Sequence, residues 1–262
     1  MPPPEDITVQ REVTNISSRQ SIPLKAISSA ITHQGNRRTH NEDAILAIDE
    51  QKLWVVADGM GGHNAGDVAS QSIVNDLKEY KNHGNLGQSV LWIDKIIHKT
   101  NINLIQKAEE LTNDGLIGST VAILVAQNSD GILMWAGDSR VYRLRQGNLE
   151  QLSKDHSLVN EAISSGEILI EDAKDHPDAN VITRAVGHIK SLQIEQKRIT
   201  IEDADRYFIC SDGVNKELDD SAIAELISDL DIADANQKLV QRTLDLGGRD
   251  NISSILIEFS AL

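Results

Sequence analysis

The sequence predicts an α+β fold in which antiparallel sheet is covered by helices. Short apolar or β-branched runs bounded by Gly, Asp or Asn recur in hairpin-like pairs. Two long stretches with apolar residues at helical spacing lie between those pairs, and further helical patterns gather late in the chain. With 262 residues, 40% of them hydrophobic and 25% charged, the chain can bury a substantial core as one domain. Aromatics make up only 3%, so that core must come mostly from Ile, Leu, Val and Ala.

The first 24 residues carry Pro at both ends, much Ser and Thr and no sustained period, which reads as a leader with little fixed structure. Strands are expected at Lys25–Thr32, Ala44–Ile48 and Leu53–Ala57. A helix then follows over Asp67–Tyr80, where Ala69, Ile73 and Leu77 fall four apart on one face. A longer helix, Leu86–Leu111, places Leu104, Ala108 and Leu111 similarly. Thr120–Gln127, Gly131–Ala136 and Arg140–Arg145 read as further strands. Residues 157–182 begin with a short helical pattern, Ser157–Ser164, and are otherwise polar and weakly periodic. They suit a surface insertion, where mobility and substrate contact concentrate. Strands Leu192–Ile199, Arg206–Cys210 and Ile252–Phe259 complete the sheet. Helices Ser221–Leu230 and Ala235–Leu246 precede the last of these, and Gly247-Gly248 stops the second helix.

A formal charge of -15 disfavours nucleic acid, because a phosphate backbone is held by clustered Lys and Arg, and scarce aromatics leave no base-stacking surface. Solubility is the simpler reading of that charge. The single cysteine, Cys210, sits in apolar YFIC and reads as a buried small hydrophobe; it excludes an internal disulfide framework and fits a reducing compartment. No stretch approaches the length of a membrane span, and the start lacks a secretory signal pattern. A cytoplasmic monomer that does not engage membrane is expected.

The chemistry gathers at strand ends. LWVVA runs into Asp58-Gly59, FIC into Ser211-Asp212-Gly213 and LMWA into Gly137-Asp138. Asp250-Asn251 immediately precedes ISSILIEF, and Arg38-Thr39-His40-Asn41-Glu42-Asp43 leads into AILAI. Singly, Asp138 reads as a hairpin turn and Asp212-Gly213 as a turn before a helix. Asp250 alone could face water, and Arg38 could form a surface ion pair with the acids beside it. Asp58 is different, because MGGHNAG and a helix follow it instead of a returning strand. Glycine there implies close backbone approach, with the Gly59 carbonyl free to act as a ligand. Carboxylates at the mouth of a core are costly unless paired or bound to metal, and 25 Lys and Arg face 40 acids. Several carboxylates and a carbonyl, without Cys or paired His ligands, suit Mg²⁺ or Mn²⁺. Two such cations ~3.5–4 Å apart serve in-line attack on phosphorus, and Arg38 adds a bidentate cation for a phosphate dianion.

Together these residues resemble the bacterial branch of the metal-dependent protein serine/threonine phosphatases of type 2C, the PPM family. The carrying motifs are R-x-x-N-E-D at 38–43, V-A-D-G-M-G-G-H at 56–63, G-S-T at 118–120 and G-D-S-R at 137–140. D-H-S at 155–157, I-T-R-A-V-G at 182–187, C-S-D-G at 210–213 and D-N-I at 250–252 complete the series, in family order over roughly residues 25–262. The resemblance implies a four-layer αββα sandwich, two antiparallel sheets flanked by helices, with 157–182 as a flap over the active site. It also implies two Mn²⁺ or Mg²⁺ ions per chain, with room for a third. Asp58 would bridge them, with Gly59 as carbonyl ligand and Asp212 and Asp250 as the remaining direct ligands. Asp43 would contribute to the site, Glu42 would act through a bound water, and Asn251 would support the ligands. Asp138 with Asp212 would take the third, weaker ion, and Arg38 would clamp phosphate.

The implied activity is hydrolysis of phosphoserine and phosphothreonine in proteins by metal-activated water. Phosphoproteins would be the partners, together with a serine/threonine kinase acting on the same substrates. Met60 stands where animal members carry His, so the leaving-group acid is unassigned, with His63 a weaker candidate. Ser119, where Thr is commoner, is expected to affect packing only. A cysteine phosphatase is disfavoured, since position 216, where its C-x5-R loop needs Arg, is Lys. The rival from another class is a catalytically silent module that binds phosphoproteins or a regulatory partner.

Overall fold

The computed structural model describes residues 22–61, 65–111, 117–169, 172, 176–178, 181–228 and 231–262. In chain order the elements are β1 (Leu24–His33), β2 (Asp43–Ile48), β3 (Leu53–Gly61), α1 (Ala65–Leu77), α2 (Leu86–Leu111), β4 (Ile117–Ser119), β5 (Val121–Gln127) and β6 (Asp130–Ala136). They continue with β7 (Arg140–Arg145), β8 (Asn148–Gln151), α3 (Leu158–Ser165), β9 (Glu195–Thr200), β10 (Arg206–Cys210), α4 (Asp212–Asn215), α5 (Asp220–Ser228), α6 (Ile232–Asp245) and β11 (Ile252–Ala261).

Alternation along β3 sets the layers. Leu53, Val55 and Ala57 join one buried cluster with residues of α1 and α2, whereas Trp54 and Val56 join another with Tyr207, Ile209, Ile255 and Ile257 of the opposite sheet. Both faces are buried, so the stretch reads as a continuous apolar run. One sheet runs β2-β3-β5-β6-β9, with β4 added to the far end of β3; the other runs β1-β11-β10-β7-β8. All strand pairs are antiparallel. Phe208, Cys210 and Leu256 on the outer face of the second sheet pack with Ile223 and Ile227 of α5 and Leu239 of α6. The result is the αββα sandwich.

The departures from the sequence reading have local causes. The strand expected from Thr120 to Gln127 is broken at Thr120, whose hydroxyl accepts from Asp58 N at 3.1 Å and bonds Ser139 Oγ at 2.7 Å. Its preceding residues form β4, which pairs with Gly59–Gly61 and so lengthens β3 beyond Ala57. The segment expected as a turn at Asp212-Gly213 is the short helix α4. Edge strand β8 is polar and has no sequence signature of a strand. Of the leader, residues 1–21 lie outside the described residues, and Leu24 already belongs to β1. No helix among the described residues is long and apolar enough to cross a membrane.

Candidate metal centre and active site

Strand parity brings the carboxylates together. Asp58 follows Trp54 and Val56 on the inter-sheet side of β3, and its cross-strand partner is Asp43, at the start of β2. On the facing sheet Ser211 follows Tyr207 and Ile209 with the same parity, and its hydroxyl donates to Asp43 Oδ2 at 2.8 Å. The two sheets are thus tied across the end of the sandwich. Asp212 opens α4 directly after this serine, Asp138 lies in the β6–β7 connection, and Asp250 immediately precedes β11. The charges of Asp43, Asp212, Asp138 and Asp250 all act on Asp58.

This basin is electrostatically tense. Burial, followed by the surrounding carboxylates, holds the Asp58 carboxyl well above the usual range. Burial likewise pushes Asp43 up to about 7, with Asp212 and Asp250 adding to the effect. Asp138 is pushed up to about 7 by burial and then by Asp212, against the opposing charge of Lys216. Asp43 Oδ1 and Asp138 Oδ1 are buried without a hydrogen-bond partner. Oxygen-only donors, several of them short of partners, fit hard divalent cations. Among the described residues no three acidic, His or Cys side chains are already closed around one metal position. Asp212 is in contact with the Lys216 ammonium, and Asp250 is held by Arg38, with Nε to Oδ1 and Nη2 to Oδ2 both 2.8 Å.

Arg38 therefore reaches across to Asp250 and not to the adjacent Glu42 and Asp43, as a simple surface pair would require. Its side chain is half exposed at the rim. Glu42 is raised above its ordinary value by burial, with Arg38 opposing this and Asp67 adding to it. Its carbonyl accepts from Gly59 N at 3.1 Å and Ser70 Oγ at 2.5 Å, while its N–H donates to Asn251 Oδ1 at 2.9 Å. Asn251 also donates to the carbonyls of Gln34 and His40, at 2.8 and 2.9 Å, and so ties down the loop that carries Arg38. Gly59 meets the start of α1 so closely that a Cβ there would stand 2.1 Å from the Gly66 carbonyl oxygen. His63 lies outside the described residues.

Ser119 does more than pack, because its hydroxyl donates to the Asp58 carbonyl at 2.9 Å, which also accepts from Thr120 N at 2.8 Å. The flap is fastened beside Asp138. His156 stacks on Trp135, its backbone N–H donates to the Gly137 carbonyl, and Ser157 bridges Ile182. Arg140 holds Asp155 through Nε and Nη2 at 2.8 to 3.0 Å. Cys210 is fully buried and its thiol is pushed up by burial, so it offers no nucleophile. Two groups escaped the sequence reading. Asp67, on the first turn of α1, keeps a buried unpartnered oxygen near Glu42. Lys216 meets Asp212 one helical turn away, which only the presence of α4 could have signalled.

The raised carboxyls give the metal-free protein an inverted pH response. Unfolded carboxyls titrate near 4, so between about 4 and 7 the fold holds protons that the unfolded chain has released. Stability from this source is complete below that window and is lost as pH rises through about 7. In chelator, Tm is expected to be roughly 5 °C or more lower at pH 8 than at pH 5.5, with Mn²⁺ restoring it. A Tm that climbs over that interval would contradict the assignment.

Residues 32–245 match the family model described as protein phosphatase 2C. The serine/threonine phosphatase stp of Listeria monocytogenes is 33% identical over 235 residues, covering 87% of this chain and 93% of that protein. Among solved structures, PppA, described as a key regulatory component of T6SS in Pseudomonas aeruginosa, superposes with a TM-score of 0.82 at 37% identity, covering 90% of this chain and 98% of that one. The catalytic domain of the serine/threonine protein phosphatase PstP, in complex with two manganese ions, gives 0.79 at 29% identity, with 90% and 99% covered. Both the strand-end carboxylates and these likenesses lead to one statement: the chain belongs to the protein phosphatase 2C family.

Proposed function

We propose that the basin of Asp43, Asp58, Asp138, Asp212 and Asp250 is the catalytic centre through which this chain acts as a metal-dependent protein serine/threonine phosphatase. The observation that carries the reading is the convergence of five carboxylates from separate segments, two with orphaned buried oxygens, beside one half-exposed guanidinium. Asp58, Asp212 and Asp250, with the Gly59 carbonyl, would hold two Mn²⁺ or Mg²⁺ ions, and Asp43 would support them. When bound, the cations supply Lewis-acid activation of water and neutralise phosphate charge.

The chain's own residues do the rest. Asp250 and the loop pinned by Asn251 hold Arg38 at the rim, where its guanidinium meets the phosphate dianion. Glu42, anchored through its backbone to Gly59, Ser70 and Asn251, presents a carboxyl at the same mouth. Ser211 is committed to Asp43 and Cys210 is buried, so neither of these two side chains is placed to form a covalent phosphoenzyme. The flap, fastened through His156 and Ser157, borders the site and would contact the phosphoprotein substrate. The opposing activity is then a serine/threonine kinase, and a single buried cysteine without a disulfide supports a cytoplasmic setting.

The test is Mn²⁺-dependent release of phosphate from p-nitrophenyl phosphate and a phosphoserine peptide. Chelation should abolish turnover and Asp212→Asn should remove it; a metal-loaded but inert protein would leave the silent binding module. Arg38→Ala is expected to lower kcat/KM for the peptide roughly 10- to 100-fold, chiefly through KM. An unchanged kcat/KM would remove Arg38 from phosphate binding.

A further inference from the structure

Lys216 caps the C-terminal end of α4, and its ammonium contacts the Oδ2 of Asp212, four residues back. The side chain is half-buried, with its ammonium turned to the carboxylate and not to open solvent. Asp138 in turn feels both Asp212 and this ammonium, and its Oδ1 has no hydrogen-bond donor. Asp138 and Asp212 are also the two residues to which the family resemblance assigns a third, weaker cation. Of that pair, Asp212 already has a positively charged contact from the chain itself.

We propose that Lys216 is the resident cation of the Asp138–Asp212 pair, so that this phosphatase binds two divalent ions and excludes a third. The inference rests on the two-ion reading given above. Charge favours it: an ammonium beside Asp212 offsets part of the negative charge that two divalent ions leave in the basin, and the Arg38 guanidinium stands at the rim for a phosphate dianion. A third divalent ion would have to take a ligand from the lysine and then sit beside its displaced charge. A tethered ammonium is always at hand, whereas a weakly held ion depends on its free concentration. Only the third position would thereby be freed from metal supply.

Calorimetric titration of the metal-stripped full chain with Mn²⁺, with bound manganese counted independently after gel filtration, tests this without relying on turnover. Wild type should take up two equivalents. Lys216→Gln should take up a third, weaker equivalent, and Lys216→Arg, which keeps the charge, should stay at two. Thermal unfolding in chelator shows whether each variant is folded, and Lys216→Met serves as a second neutral replacement. Three equivalents in wild type, or two in both neutral variants, would overturn the proposal. Asp58→Asn marks the separate failure: a wild type that binds no Mn²⁺, with no difference in Asp58→Asn, would sink the two-ion reading and this inference with it.

Discussion

Asp58→Asn should yield a protein that has lost its chemistry and gained stability. Turnover is expected to fall roughly 10³-fold or more, because Asp58 would hold cations that supply several kcal/mol of transition-state stabilisation. Mn²⁺ affinity measured by calorimetry should fall with it. The metal-free fold should respond in the opposite direction. Asp58 is half-buried opposite Asp43 and within the field of three further carboxylates, so an amide of the same shape removes repulsion without opening a cavity. A gain of about 2 kcal/mol at pH 8 corresponds to a rise of roughly 4–8 °C in Tm for a domain of this size. A structural carboxylate would give the reverse sign, since its loss would strand donors. Scanning calorimetry in chelator therefore separates function from architecture, and a lowered Tm would count against the ionic centre.

Asn251→Ala is expected to be the most damaging single change outside the carboxylates. One nearly buried amide accepts from Glu42 N and donates to the carbonyls of Gln34 and His40. Alanine leaves all three backbone groups without that partner. At about 1 kcal/mol for each, the loss is roughly 3 kcal/mol, or about 6–12 °C in Tm. Arg38 rides on the same loop, so KM for a phosphopeptide should rise together with the loss of stability. If Tm falls and KM does not, the loop positions nothing, and Asn251 is only a staple.

What the sequence revealed depended on how local each signal is. Leu86–Leu111 was legible to the residue because apolar spacing is a property of one segment. Breaking of the strand at Thr120 was not, since it turns on hydrogen bonds to Asp58 and Ser139 from other strands. Four-residue α4 is too short for any periodicity to show, and reading it as a turn also hid the one-turn spacing of Asp212 and Lys216. At the candidate site, the acids stood out because each interrupts or borders an apolar run. Their convergence was read from family likeness; strand parity supplies its cause, with Asp43, Asp58 and Ser211 all on inter-sheet faces. Asp67 gave no such sign, because its buried oxygen is created by the packing of α1 against the loop at Glu42.

The placing of β11 between β1 and β10 has a consequence for biosynthesis. A nascent polypeptide that has cleared the ribosome only as far as residue 249 holds both neighbours of a strand that has not yet arrived, and lacks Asp250 and Asn251 as well. It cannot complete that sheet, brace the Arg38 loop or assemble the acidic basin. Enzymatic competence thus waits on the emergence of Asp250, Asn251 and β11, and a stalled or clipped product ending before them would be silent towards every phosphorylated protein around it.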